Sequence, residues 1–233
     1  MTVNPEHDLP TEINVNYTLA NQKHFDQSAQ TYDSPQAIEL ARRSARAMRR
    51  VYEFDENTTC VMDFACGTGL ISHQLAPYAQ TIVGVDISQR MVDRYNEQVG
   101  NQGISHDEMQ AICADLQGVE GELDGMKFDI VVCASSYHHF DSISSITRTL
   151  AYFLKPGGTL LVIDLLKAEH LDLDALFPDH LHHLVAHKGG FREEELRKAF
   201  DDGGLKGFEF SDAVNVKKKG EDLKLFIAKG LRQ

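Results

Sequence analysis

The stretch VMDFACGTG, residues 61–69, decides how this chain is read. Two apolar residues, Val61 and Met62, lead to an acid, Asp63, and then to a turn holding Gly67 and Gly69. Thr59–Ala65 has the continuous apolar texture of a strand buried on both faces. Gly69–Tyr78 has helical spacing. Glycine at such a junction lets the backbone approach a ligand closely. A carboxylate at the strand end can hold a cationic or hydroxyl-bearing group. A Gly-x-Gly pair alone also fits a tight structural turn, so its surroundings must decide.

Working outward, short apolar runs alternate with helical patterns. Strands are predicted at Thr81–Val85, Gln110–Ala114, Phe128–Ala134 and Thr159–Asp164. Helices are predicted at Ser88–Gln98, opened by a serine cap, and at Ser142–Leu154, ended by Lys155-Pro156-Gly157-Gly158. This alternation argues for an α/β sandwich with a mainly parallel sheet and helices on both faces. The tail differs. A helix at Glu193–Asp202 precedes two strand-like runs, Phe208–Val216 and Lys224–Lys229, joined by Lys217-Lys218-Lys219-Gly220. Two runs joined so briefly must pair antiparallel.

Asp86 ends the second strand, where an acid reaches the ribose hydroxyls of an adenosine cofactor in folds of this type. Asp115 follows the third strand. Two cofactors compete, a nicotinamide dinucleotide and S-adenosylmethionine. A dinucleotide site prefers G-x-G-x-x-G around its pyrophosphate. Here the third glycine is replaced by Ser72, and Asp63 would repel phosphate. A carboxylate beside the loop suits the amino group of a methionine moiety, which favours S-adenosylmethionine.

Together with VGVDIS (83–88), CADL (113–116), FDIVVCASSYHHF (128–140) and LKPGGTLLVID (154–164), the loop resembles the class I S-adenosylmethionine-dependent methyltransferases. The branch it resembles holds small-molecule and ubiquinone/menaquinone-type enzymes, and the likeness runs from about Phe25 to Lys229. It implies a Rossmann-like three-layer sandwich with a seven-stranded sheet in the order 3-2-1-4-5-7-6, strand 7 antiparallel. It implies that Asp63, Ala65, Gly67 and Gly69 line the methionine part of the cofactor. Asp86 would take the ribose, with Ile87 and Met91 near the adenine and Asp115 and Leu116 at its edge. Ala134 and Ser135 would face the cofactor. The FDQSAQTYD segment (25–33) resembles an N-terminal element of the family and implies that Tyr32 closes over it. Ala65 departs from the family, which usually has glycine there.

Methyl transfer to a hydroxyl or thiol requires removal of a proton, a task that suits histidine. His138 and His139 follow the fourth strand, at the sheet edge where ligands bind. Either is a candidate base, and a helix-start histidine bonded to backbone is the bland alternative. His180, His183 and His187 would share one face of a helix. No carboxylate or cysteine completes an obvious ligand set, so no metal is assigned. His187 in HKGGF (187–191) resembles an H-x-G-F element of the family, which makes it a third candidate base.

The expected organisation is a loosely attached N-terminus (1–17) and one domain (18–233). Within it, residues 18–56 form a helical cap and residues 165–190 shape the acceptor pocket. The pocket segment holds Leu165, Leu166, Leu171, Leu173, Leu176, Phe177, Leu181, Leu184 and Val185, which fit an apolar lid or the core face of a covering helix. A helix from Ser34 carries Arg42, Arg43, Arg46, Arg49 and Arg50. That run is read as a solvated surface, with an acid-binding face as the alternative.

The 233 residues carry 23 Lys plus Arg against 35 Asp plus Glu, a formal net charge of -12. This opposes non-specific attraction to nucleic acid or an anionic membrane. No run approaches the ~18–20 apolar residues of a membrane span, and residues 1–11 lack the order of a secretory signal. Cys60, Cys66, Cys113 and Cys133 contain no C-x-x-C pair and read as buried free thiols, which suits a cytoplasmic protein. The expectation is a cytoplasmic methyltransferase, monomer or homodimer, that uses S-adenosylmethionine, releases S-adenosylhomocysteine and methylates oxygen or sulfur of a small organic acceptor. The alternatives are carbon methylation of a quinone-like ring and a non-catalytic binding subunit.

Overall fold

The computed structural model describes residues 16–168 and 183–233. Two helices come first, α1 (Tyr17–Ser28) and α2 (Pro35–Val51). Each has a side-chain cap. Asn16 accepts from the Leu19 amide, and Ser34 accepts from the Ala37 amide with Pro35 in the first turn. The alternating part follows: β1 (Cys60–Phe64), α3 (Leu70–Leu75), β2 (Thr81–Asp86), α4 (Gln89–Asn101), β3 (Met109–Cys113), β4 (Phe128–Ala134), α5 (Ile143–Phe153) and β5 (Leu154–Leu165). The tail is α6 (Glu193–Asp202), β6 (Leu205–Lys218) and β7 (Glu221–Arg232).

The seven strands lie in the order β3-β2-β1-β4-β5-β7-β6. β1 to β5 pair parallel, and β7 runs antiparallel to both β5 and β6. This is the sheet that the resemblance implied. Side chains alternate between two cores. Val61, Ile130, Leu161 and Ile163 face α2, α3 and α4 with Met48, Leu75 and Tyr95. Met62, Val131, Leu160 and Val162 face α5 and α6 with Leu150, Phe153, Leu196 and Phe200. Both faces are therefore apolar, which is why these strands read as unbroken apolar runs.

Element ends differ from the sequence reading in several places: β6 and β7 run longer at both ends and take in Lys217 and Lys218 of the expected turn, and two further differences have a clear local cause. Lys155-Pro156-Gly157-Gly158, expected as a loop, lies within β5. Leu154 pairs with Phe128 and Thr159 with Ile130, so the four residues bulge opposite Asp129, which binds Lys155 Nζ at 2.8 Å. The helix after Gly69 ends early, and Ala76–Tyr78 is a 3-10 turn with Pro77 inside it.

Cys66 and Cys133 are buried, whereas Cys60 and Cys113 are only half-buried; all four are free. Among the described residues, no helix is long and apolar enough to cross a membrane.

Candidate active site

Strand order reverses between β1 and β4, and in open α/β sheets a crevice forms outside the carboxyl ends of such a pair. Here the loop after β1 turns left-handed. Ala65 has φ +56° and Gly67 has φ +54°. The left-handed turn explains the family's glycine at position 65: a Cβ there carries strain of about 1–2 kcal/mol. Ser135, the residue after β4, also has φ +56°. Two side-chain-bearing residues in left-handed backbone thus line the crevice. Gly69 caps α3 at φ +90°, and a Cβ on it would meet the Tyr95 ring at 2.6 Å. Its role is to let the loop settle on Tyr95. It does not line the cavity found here.

The crevice holds two adjoining cavities, which share Tyr32, Ala65, Gly67, Ser135 and Ser136. One, of about 610 Å³, is also walled by Asp86, Ile87, Met91 and Ala114 on the β2–β3 side and by Asn21, Phe25, His139 and Phe140 on the other. The second, of about 550 Å³, reaches Asp63, Ala134, Leu40 and Ser44.

Asp63 is buried, and one of its carboxylate oxygens accepts from Ser72 Oγ at 2.6 Å. Burial pushes its pKa up to about 7. Asp86 receives the Gly67 amide at 2.9 Å and the Ser88 amide at 2.9 Å, and burial raises its pKa. Ser44 Oγ and Asn21 Oδ1 are buried without partners, one in each cavity. These groups suit S-adenosylmethionine: Asp63 and Ser44, an acceptor and a donor, match an amino-acid end, and Asp86 beside an apolar slot matches a nucleoside. A pyrophosphate would meet two carboxylates instead.

The N-terminal elements are fastened over this crevice by polar groups. Gln22 Nε2 donates to the Ile87 carbonyl at 3.0 Å, and Ser88 Oγ donates to Asp26 at 2.6 Å. Thr68 Oγ1 and Gln98 Nε2 both donate to Asp33. Tyr32 lines both cavities.

Not every expected residue reaches the cavities. Asp115 is exposed, and Leu116 is buried in the α5-side core; Ala114 takes their place in the lining. The three candidate bases also separate. His139 lines the first cavity and donates from Nδ1 to the Leu184 carbonyl at 2.8 Å. Burial and the neighbouring His138 lower its pKa to about 3, so it is neutral and stores a proton poorly. His138 donates from Nδ1 to Asp164 at 2.9 Å. Burial would raise Asp164, but His138 and the Leu165 and His138 amides outweigh it and hold the carboxyl below its usual range. His187 is bound by its backbone to the His138 carbonyl at 3.0 Å, stacks near Phe191, and has Nε2 buried without a partner. Residues 185–190 are not helical, so His183 and His187 do not share a helix face; His180 lies outside the described residues. So do Leu171, Leu173, Leu176, Phe177 and Leu181 of the expected lid, whereas Leu184 and Val185 are buried.

Sequence reasoning missed Asp164, Asn21 and Ser44. Asp164 carried a usable signal, because it is an acid at the carboxyl end of a central strand. Asn21 and Ser44 sit in helices without any motif.

Residues 61–158 match the model of a methyltransferase-domain family. An uncharacterised methyltransferase of Schizosaccharomyces pombe is 40% identical over 153 residues, 64% of this chain and 54% of that protein. A sterol 4-C-methyltransferase of Caenorhabditis elegans is 31% identical over 135 residues, 57% of this chain and 39% of that protein. The chain thus spans about half the length of the curated relatives it matches. A crystal structure of an S-adenosylmethionine-dependent methyltransferase from Aquifex aeolicus superposes with TM-score 0.63 at 16% identity, covering 89% of this chain and 98% of that one. Matched motif, sheet order and cavity agree: the chain carries a methyltransferase domain of the class I S-adenosylmethionine-dependent family.

Proposed function

We propose that the protein transfers the methyl group of S-adenosylmethionine to oxygen or sulfur of a small organic acceptor. The observation that supports this reading is the His138–Asp164 pair at the carboxyl edge of β4 and β5, whose histidine lies 4.1 Å, ring to ring, from His139 in the wall of the first cavity. When bound, the cofactor supplies a methyl group on a positively charged sulfur and leaves as S-adenosylhomocysteine.

The chain's own residues would do the rest. Asp63 and Ser44 hold the amino-acid end, and Asp86, Ile87 and Met91 hold the nucleoside. Asp115 and Leu116 contribute through the backbone course after β3, by carrying Ala114 into place. Tyr32 and Phe25 close the site and keep water out. Asp164 fixes Nδ1–H of His138, which leaves Nε2 as the proton acceptor. Of the three histidines, His138 alone has a carboxylate behind it to stabilise the charge it takes up. His139 then serves the acceptor pocket by contact rather than as a proton store.

The test is an acceptor screen with methyl-labelled S-adenosylmethionine over phenols, catechols, thiols, amines, carboxylic acids and quinols, with products read by mass spectrometry. Label on oxygen or sulfur is expected. Label on ring carbon would favour the alternative, carbon methylation of a quinone-like ring, which the C-methylating relative supports. Cofactor binding with no label in any class would favour a binding subunit. The location is proposed to be cytoplasmic and the state a monomer or homodimer, without nucleic acid.

A further inference from the structure

The Leu184 carbonyl accepts two side-chain hydrogen bonds, from Asn21 Nδ2 at 3.0 Å and from His139 Nδ1 at 2.8 Å. The two donors come from α1 and from the turn after β4, and Leu184 is buried. This one oxygen settles the chemistry of both side chains. Asn21 Nδ2 also donates to the Tyr17 carbonyl at 2.8 Å, so both amide hydrogens are used. A flipped amide would set its oxygen against two carbonyls, so Oδ1 must be the atom without a partner. That oxygen is buried, and Asn21 lines the first cavity. In His139 the Nδ1 proton is committed to Leu184, so neutral imidazole offers Nε2 as a lone pair. His139 lines the same cavity.

Asn21 and His139 therefore present acceptors only. The walls beside them are rings: Phe25 meets His139 edge-on at 5.4 Å, and Phe140 lies 5.8 Å from Phe64. No lysine or arginine is among the described residues lining this cavity, and Asp86 is. An anion entering here would find no donor pair and a carboxylate nearby. A hydroxyl or amino group would satisfy a buried oxygen that otherwise carries an unmet desolvation cost.

We infer that Asn21 Oδ1 and His139 Nε2, both aimed by the Leu184 carbonyl, form a subsite for a hydrogen-bond-donating head group, a hydroxyl or amine on a flat apolar body. The inference rests on the methyltransferase reading above and deepens it by naming the acceptor class: neutral or cationic donors, not carboxylates or phosphates.

The test uses the full chain, labelled with ¹⁵N-histidine and saturated with S-adenosylhomocysteine. Phenol, anisole and benzoate are the probes. Phenol is expected to move the His139 Nε2 resonance and to bind about tenfold more tightly than anisole or benzoate, the worth of one well-placed hydrogen bond. Asn21→Leu should shrink the phenol-to-anisole ratio to about threefold or less, and His139→Phe should do the same. Either variant stands in should the other fail to fold. Benzoate binding as well as phenol, or no preference with cofactor product bound, would overturn the subsite. So would a His139 Nε2 shift induced in full by S-adenosylhomocysteine alone, because the donor would then belong to the cofactor. Failure to bind S-adenosylhomocysteine at all is a separate outcome, and it overturns the methyltransferase reading along with the subsite.

Discussion

The Asp164 carboxylate takes the His138 ring at 2.9 Å and the His138 amide at 3.2 Å, so one buried acid fixes both the side chain and the backbone of its partner. Asp164→Asn keeps the shape but removes the charge and the preference for one tautomer. Transfer to a hydroxyl or thiol acceptor should fall by about 10²-fold or more, within the usual range for general-base loss. Affinity for S-adenosylhomocysteine should change little. Label-transfer rates set against calorimetric binding separate the two, and unimpaired turnover in the variant would sink the assignment.

The same acid shapes stability in acid. Its pKa is held below the usual range, so its contribution is present above the unfolded value of about 3.9 and is lost as pH falls through the folded one. Denaturant midpoints of the wild type should drop below about pH 4. Asp164→Asn should be less stable at neutral pH and show a shallower drop. Parallel curves for the two proteins would count against it.

Asp63 works in the opposite direction. With a pKa of about 7 it holds a proton that the unfolded chain releases near 3.9. The free protein should therefore lose stability as pH rises from about 4 to 7. A ligand ammonium needs the charged form, so the dissociation constant for S-adenosylhomocysteine should rise about tenfold per pH unit below 7. Calorimetry between pH 5.5 and 8, with Asp63→Asn as the flat control, reads this directly. A pH-independent constant in the wild type would exclude the contact.

Ala65 stands at φ +56°. Glycine there should relieve about 1–2 kcal/mol of strain and return about 0.5–1 kcal/mol as unfolded-chain entropy. Ala65→Gly is thus expected to raise stability by up to about 1 kcal/mol, seen as a higher denaturant midpoint. A loss of stability would mean that the methyl group packs more usefully than the turn is strained.

Ser44 separates binding from folding. Its hydroxyl is buried without a partner, so Ser44→Ala should leave thermal stability unchanged or higher. Affinity for S-adenosylhomocysteine should fall about three- to tenfold, the worth of one hydrogen bond to a charged end. Unchanged affinity would remove Ser44 from the site.

The sheet was legible because its signals are local. Asp63, Asp86 and the glycine turn each sit at a strand end, and the apolar runs between them repeat. The bulge at Pro156 and Gly157 was not, because those residues also read as a loop; only pairing with Phe128 and Ile130 tells the two apart. The sequence carries no sign that the Tyr95 ring lies against Gly69, because the two are 26 residues apart. The acceptor side was the least legible. Asn21 and Leu184 meet across 163 positions, and no periodicity or motif links them.

Among the residues of α1 only Asn21 is buried, and its interactions with the rest of the fold include the polar fastenings of Asn21, Gln22 and Asp26. A helix tethered that way detaches at little cost in apolar surface, while β1 beneath it stays fixed. Residence time of a nucleoside in the crevice is then governed by how often this latch springs rather than by the core. Its backbone amides should accordingly exchange with solvent deuterium long before those of Val61 and Met62, and slow down once the crevice is filled.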